Sequence, residues 1–167
     1  VVYFRANNKA FKRTMVKNGA VLLLFLLAFG LPLSAQSYDS IVEWSYQAEA
    51  VGESEYELQF TADIQKGWYL YSQHVGDAGP IPTRVQMYDH PLVELLEDVQ
   101  ESGEAVEGMD EMFGIEIKKF KNKAVFTQRI RVEEGLQEIN GFIEFMCCNE
   151  EKCLPPREIP FTLSFRG

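Results

Sequence analysis

Three cysteines, Cys147, Cys148 and Cys153, sit inside the stretch Phe145–Pro156 and are all the cysteines the chain has. Thiols this close can close a disulfide, exchange it with a partner, or hold a soft metal. A bridge across so few residues gains little by loop closure. An odd count at minimal spacing is also unlike a small secreted domain stapled for stability. The expected chemistry is therefore thiol–disulfide exchange. Strand parity puts Cys147 on the face of Ile143 and Phe145, as a small buried hydrophobe, and Cys148 on the other face at the start of a loop. A vicinal Cys147–Cys148 bond would demand a strained peptide. The expected pair is Cys148–Cys153, with Cys147–Cys153 as the alternative. Zinc or copper would need a third or fourth ligand, and only His74 and His90 are on offer among histidines. The spacing matches no Cys-x-x-Cys or finger pattern, so no metal and no cofactor beyond the disulfide itself is expected.

Such a pair needs a rigid frame, and the flanking sequence supplies strands. Gly141, Ile143 and Phe145 alternate into the cysteine stretch; Leu154-Pro155-Pro156 stops the chain; Ile159, Phe161, Leu163 and Phe165 alternate out of it. Upstream, Ile41–Ala50 is strand-like, and Tyr56, Leu58, Phe60, Ala62 and Ile64 alternate with polar residues as a half-buried strand does. Trp68–Tyr71 is a short aromatic strand, and Gly76–Pro82 a loop rich in breakers. Thr83–Tyr88 and Leu92–Leu96 are apolar enough to pair. Acidic Glu97–Glu111, with Gly103 and Gly108, reads as a long loop or hairpin excursion. Ile115–Phe120 and Ala124–Val132 read as two strands joined by a turn at Lys121-Asn122-Lys123. Turn signals every 8 to 12 residues and no amphipathic helix point to an all-β fold, an immunoglobulin-like β-sandwich.

Residues 1–35 read as a signal peptide, with residues 1–14 as a possible over-extended start ahead of Met15. Lys12, Arg13 and Lys17 precede the apolar run Ala20–Leu31, which is too short to cross a bilayer comfortably, and Leu33-Ser34-Ala35 is the expected cleavage site. The remaining 36–167 make one domain, with 11 basic against 25 acidic residues, a net charge of −14. That acidity argues against nucleic acid and anionic membranes as partners. Export would place the cysteines where disulfides persist.

Three segments together carry a family resemblance. Cys148-Asn-Glu-Glu-Lys-Cys153-Leu-Pro-Pro resembles the active-site loop of the N-terminal periplasmic domain of DsbD, the transmembrane disulfide reductase. Gly67-Trp68-Tyr69-Leu70-Tyr71 resembles that domain's Gly-aromatic-Tyr-Leu-Tyr segment, and Asp110-Glu111-Met112-Phe113-Gly114 its cap loop. The resemblance implies a sandwich with the cysteine pair on a hairpin loop beneath a mobile cap. It implies a periplasmic component of a protein-disulfide reductase, passing reducing equivalents between thioredoxin-like proteins and serving cytochrome c biogenesis. Cys148 and Cys153 would be the redox pair. Met112 would stand where the family has its shielding aromatic and Phe113 where it has tyrosine. Asp110 and Glu111 would anchor the cap or tune the thiols, since nearby carboxylates raise a thiol's pKa. Tyr69 and Tyr71 would either hydrogen-bond around the site or serve as ordinary strand aromatics. The membrane electron carrier is expected from another chain or a further part of the gene product, and the domain itself as a monomer. The competing expectation is a non-catalytic secreted β-sandwich binding module whose short disulfide only fixes a loop.

Overall fold

The alternating runs pair into two facing sheets. The computed structural model describes residues 41–76 and 78–165, and among these it contains ten strands and no helix. The leader expected over 1–35 lies outside the described residues. In chain order the strands are β1 (Val42–Ala50), β2 (Glu55–Ile64), β3 (Tyr69–Tyr71), β4 (Arg84–Met87) and β5 (Val93–Leu95). They continue with β6 (Gln100–Asp110), β7 (Ile115–Val132), β8 (Glu138–Phe145), β9 (Cys147–Cys148) and β10 (Arg157–Ser164). The larger sheet runs β1-β2-β7-β3-β9, with β5 and β6 along the other edge of β7; the smaller runs β10-β8-β4. All pairings are antiparallel. This is the immunoglobulin-like β-sandwich that the strand pattern predicts.

The core lies where the period-two residues of both sheets meet. Leu58, Phe60 and Ala62 of β2 and Ala124, Phe126 and Ile130 of β7 face Ile139, Ile143 and Phe145 of β8 and Phe161 and Leu163 of β10. Phe60 and Phe161 meet edge to face at 4.7 Å, and the Trp44 ring stands 5.5 Å from Phe145. Each fully buried phenylalanine contributes about 1.5–3 kcal/mol of apolar burial. Gly141 is the one core position on β8 where no side chain fits. A Cβ there would collide with the Gln86 carbonyl of β4 and the Phe161 ring.

Two sequence expectations need correction. Of the two readings of Glu97–Glu111, the hairpin excursion holds and the long loop does not, since Gln100–Asp110 is an extended strand paired with β7. Lys121–Lys123 is not a turn, because β7 runs unbroken from Ile115 to Val132. The two strands form one long hairpin. Its register slips between Gly103 and Glu104: Gly103 faces Ala124 while Glu104 faces Lys121, so Asn122 and Lys123 are extra residues on β7. Asn122 absorbs the bulge at φ 57°, and Gly103 at φ 143° approaches the Lys123 carbonyl too closely for any Cβ. Polar residues and glycines that look like loop are here the components of a β-bulge.

Candidate functional site: a capped disulfide

The cysteines are delivered by a chain that changes sheets. β8 lies in the small sheet, but after Met146 the backbone crosses over, and β9 pairs with β3 of the large sheet, Cys147 opposite Leu70 and Cys148 opposite Tyr69. The chain returns through Leu154-Pro155-Pro156 to β10, which pairs with β8 again. Between the two crossings, Asn149 Oδ1 accepts the N–H groups of Glu151 (2.9 Å) and Lys152 (2.8 Å), making a tight turn. Asn149 N donates to Lys152 O at 2.9 Å, and Leu154 N to Cys147 O at 2.9 Å. These bonds flank Cys148 and Cys153, which makes the two a non-hydrogen-bonded antiparallel pair, the position where facing side chains come closest. Their Cα atoms are 4.0 Å apart, and Cys148–Cys153 is the disulfide, as expected from the sequence. Cys147 is a free, fully buried thiol. Burial pushes its pKa up to about 12.

Sheet parity then builds a second, smaller apolar cluster on the outer side of the large sheet. Cys147 and Leu70 belong to the main core, whereas Cys148 packs with Tyr71 and Ile117, joined by Phe113, Ile115, Met146 and Cys153. The disulfide rests on this cluster. Cys148 is 2% exposed, while Cys153 is only partly buried.

The tip of the β6–β7 hairpin folds over it. Gly114, at φ 68°, donates its N–H to the Asp110 carbonyl at 2.7 Å and turns the tip. The Asp110 carboxylate holds three groups at once: the Met112 N–H (3.0 Å), the Lys119 ammonium (2.8 Å) and, at 3.4 Å, the Tyr71 hydroxyl. Burial alone would raise the Asp110 pKa. The Lys119 ammonium and the Met112 and Phe113 N–H groups together outweigh it and hold the carboxyl below its ordinary value. Burial, and then the Asp110 charge, push the Tyr71 phenol up. Phe113 sets its ring edge-on to Tyr71 at 5.9 Å. Met112, 48% exposed, brings its Sδ to 3.4 Å from Cys153 Sγ. A half-cystine carries no proton, so this is a sulfur–sulfur contact and not a hydrogen bond.

Cys148, Cys153, Tyr69, Tyr71 and Asp110–Phe113 thus gather here, in different positions, while Cys147 faces the main core. Met112 covers the sulfur, Phe113 braces the cap from below, and Asp110 is its anchor. Glu111 lies exposed on a cleft of about 660 Å³ that Tyr69, Tyr71, Lys119, Cys148 and Glu150 also line. Tyr71 is both a cluster aromatic and a hydrogen-bond donor, whereas Tyr69 carries the Lys119 ammonium 4.5 Å above its ring. Sequence reasoning missed Lys119, the counter-ion that makes Asp110 a tenable buried acid. Its only signal was a cation two residues past Ile117, on the strand face that carries the apolar cluster. It also missed Glu101, which accepts Ser72 Oγ (2.6 Å) and Gln73 N (2.9 Å) and ties the segment after β3 to the hairpin arm. His74 and His90 are exposed, and no cluster of three His, Cys, Asp or Glu side chains poised for a metal occurs among the described residues.

Fold and site together define an immunoglobulin-like domain carrying a capped disulfide on an inserted loop. The family described as thiol:disulfide interchange protein DsbD, N-terminal, matches residues 41–164, and the chain belongs to it. Among solved structures it is similar to the reduced DsbD N-terminal domain of Neisseria meningitidis, at 19% identity over 80% of this chain and 92% of that one, with a TM-score of 0.52. It is also similar to the N-terminal periplasmic domain of ScsB from Proteus mirabilis, at 13% identity and TM-score 0.51 over 72% of this chain and 44% of that one. A search of curated proteins found no match.

Proposed function

We propose that this domain passes reducing equivalents between thioredoxin-like proteins in the periplasm, through reversible opening of Cys148–Cys153. The observation that carries the reading is the disulfide's unequal exposure beneath a hairpin tip. Cys153 is partly exposed and covered by a single flexible side chain, while Cys148 is buried against Tyr71 and Ile117. A partner thiolate attacks Cys153 Sγ, the Cys148 sulfur leaves as thiolate, and the Cys153–partner mixed disulfide forms. The partner's second thiolate then attacks the partner's own sulfur in the mixed disulfide, which closes the partner's disulfide and releases Cys153 as a thiolate, leaving the pair fully reduced. In the opposite direction Cys153 is the nucleophile and Cys148 resolves. Cys147 takes no part, because its sulfur faces the main core and its thiol is held protonated.

Asp110 keeps the closed cap in register through Met112, Lys119 and Tyr71, so that the sulfurs are sheltered from small oxidants and thiols until a partner surface displaces the tip. Family membership supports thioredoxin-like proteins as the partners and the periplasm as the compartment. A membrane electron carrier, on another chain or a further part of the gene product, would keep the donating thioredoxin-like protein reduced. The test is trapping. Cys148→Ser, left with Cys153, should attack a thioredoxin-like protein whose nucleophilic cysteine carries a thionitrobenzoate leaving group and whose second cysteine is serine, releasing thionitrobenzoate and accumulating the mixed disulfide, and Cys153→Ser should not. Equal trapping by both variants, or trapping through Cys147, would refute the assignment of roles.

A further inference from the structure

We propose that the reduced site is a three-sulfur Cu(I) site, formed by the Cys148 and Cys153 thiolates and the Met112 thioether. The sequence makes a metal look short of ligands, because the third donor is neither histidine nor cysteine and lies on a different hairpin. The fold brings it to 3.4 Å from Cys153 Sγ. Thiolate and thioether donors are the soft set that favours Cu(I) over the harder or borderline ions. In a trigonal site with metal–sulfur bonds of about 2.3 Å, a length taken here from zinc–thiolate sites, neighbouring sulfurs stand about 4 Å apart. Met112 Sδ would therefore need to retreat from Cys153 by roughly half an ångström, well within the reach of a half-exposed methionine on a hairpin tip.

The two cysteine sulfurs, once the bond is reduced, separate across a pair of residues whose backbones are already held opposite one another by Asn149 N–Lys152 O and Leu154 N–Cys147 O. Tyr71, Phe113 and Ile117 give the site an apolar floor, and Glu111 and Glu150 lie on the adjoining cleft, where they favour the approach of a cation. Binding balances simply. Two thiols lose their protons to solvent, three Cu–S bonds replace those to the ligands that delivered the ion, which leave, copper stays Cu(I), and no electron is transferred. The bound ion occupies both exchange sulfurs and so holds the domain reduced and silent. The inference does not rest on the exchange reading, since it needs only a bond that chemical reductant can open.

The experiment is anaerobic titration of the reduced chain with Cu(I) supplied as its acetonitrile complex, in competition with a chromophoric Cu(I) chelator. X-ray absorption on the product reports the coordination number. The wild type should bind one equivalent with three sulfur ligands. Met112→Leu should bind roughly tenfold more weakly with two sulfurs, because the neutral thioether is the weakest of the three donors. Met109→Leu, an exposed methionine on the same cleft, and Cys147→Ala should match the wild type. Wild-type affinity in Met112→Leu, two-coordinate copper in the wild type, or one-equivalent binding that survives Cys148→Ser/Cys153→Ser would each overturn the site. Closure of Cys148–Cys153 in Met112→Leu, read by alkylation and mass spectrometry, shows that the variant is folded and tests the exchange pair separately.

Discussion

Truncating Met112 should unlock the disulfide without unfolding the domain. Met112 is 48% exposed and lays its Sδ on Cys153, so about half of its surface is covered with the hairpin tip down. Half of a methionine's full burial is about 1 kcal/mol. Removing it by Met112→Ala shifts the closed-to-open ratio of the cap by a factor of about five. The anchor is untouched: Asp110 holds the residue through the Met112 backbone N–H, which alanine keeps, and Phe113 still packs on Tyr71. A small thiol that must wait for the cap to open should therefore reduce Cys148–Cys153 about fivefold faster in Met112→Ala. Met112→Leu, with similar apolar bulk, should stay near the wild-type rate. The assay is pseudo-first-order reduction by dithiothreitol, quenched with an alkylating agent and counted by mass. Equal rates in all three proteins would refute shielding by Met112, and a rate raised as much by leucine as by alanine would refute the apolar-contact argument.

Asp110→Asn should destabilise the domain by about 1–3 kcal/mol, since it leaves Lys119 without its buried counter-charge. The folded Asp110 pKa is depressed, so the wild-type advantage is present in full above about pH 4 and is lost as pH falls from there through the folded value. Urea melts from neutral to acid pH should show the two proteins converging only below about pH 4; a gap that widens in acid would contradict the ion pair. Cys147, held protonated by burial, should resist iodoacetamide in the native protein at pH 8, with only about one thiolate in ten thousand molecules, and react once denatured. Native alkylation at Cys147 would place it outside the core. Gly141→Ala should cost about 1–3 kcal/mol in urea denaturation, because the Gln86 carbonyl it meets belongs to a paired backbone that cannot retreat. A neutral effect would mean that β4 does not lie against β8 there.

What the sequence made legible was whatever alternation and local spacing encode. The strand of Leu58, Phe60 and Ala62, the inward Cys147 and the Cys148–Cys153 pairing all follow from period-two parity and a short turn. The β6–β7 hairpin yielded only in part: both halves of β7 read as strands, β6 stood as a hairpin excursion beside the reading of a loop, and the bulge between them was taken for a turn. Glu104–Glu107 on the edge strand and Lys121–Lys123 at the bulge are largely exposed and carry no apolar period, and the bulge is built from a glycine and an asparagine that signal loops. Resemblance marked Asp110–Gly114 as a cap but left open how it works. The pairing of Asp110 with Lys119 and the Met112–Cys153 contact depend on strand register and on a loop from the opposite sheet, separations that no local pattern records.

The most direct test of exchange through Cys148–Cys153 is a redox titration of the protein, with each cysteine's state located by alkylation and mass spectrometry at every potential. Cys148 and Cys153 should titrate together as a two-electron couple above about −300 mV, with Cys147 a free thiol throughout. A bond that survives strongly reducing buffer would contradict the exchange function and leave a β-sandwich with a structural clip. A couple that involves Cys147 would contradict the site as drawn.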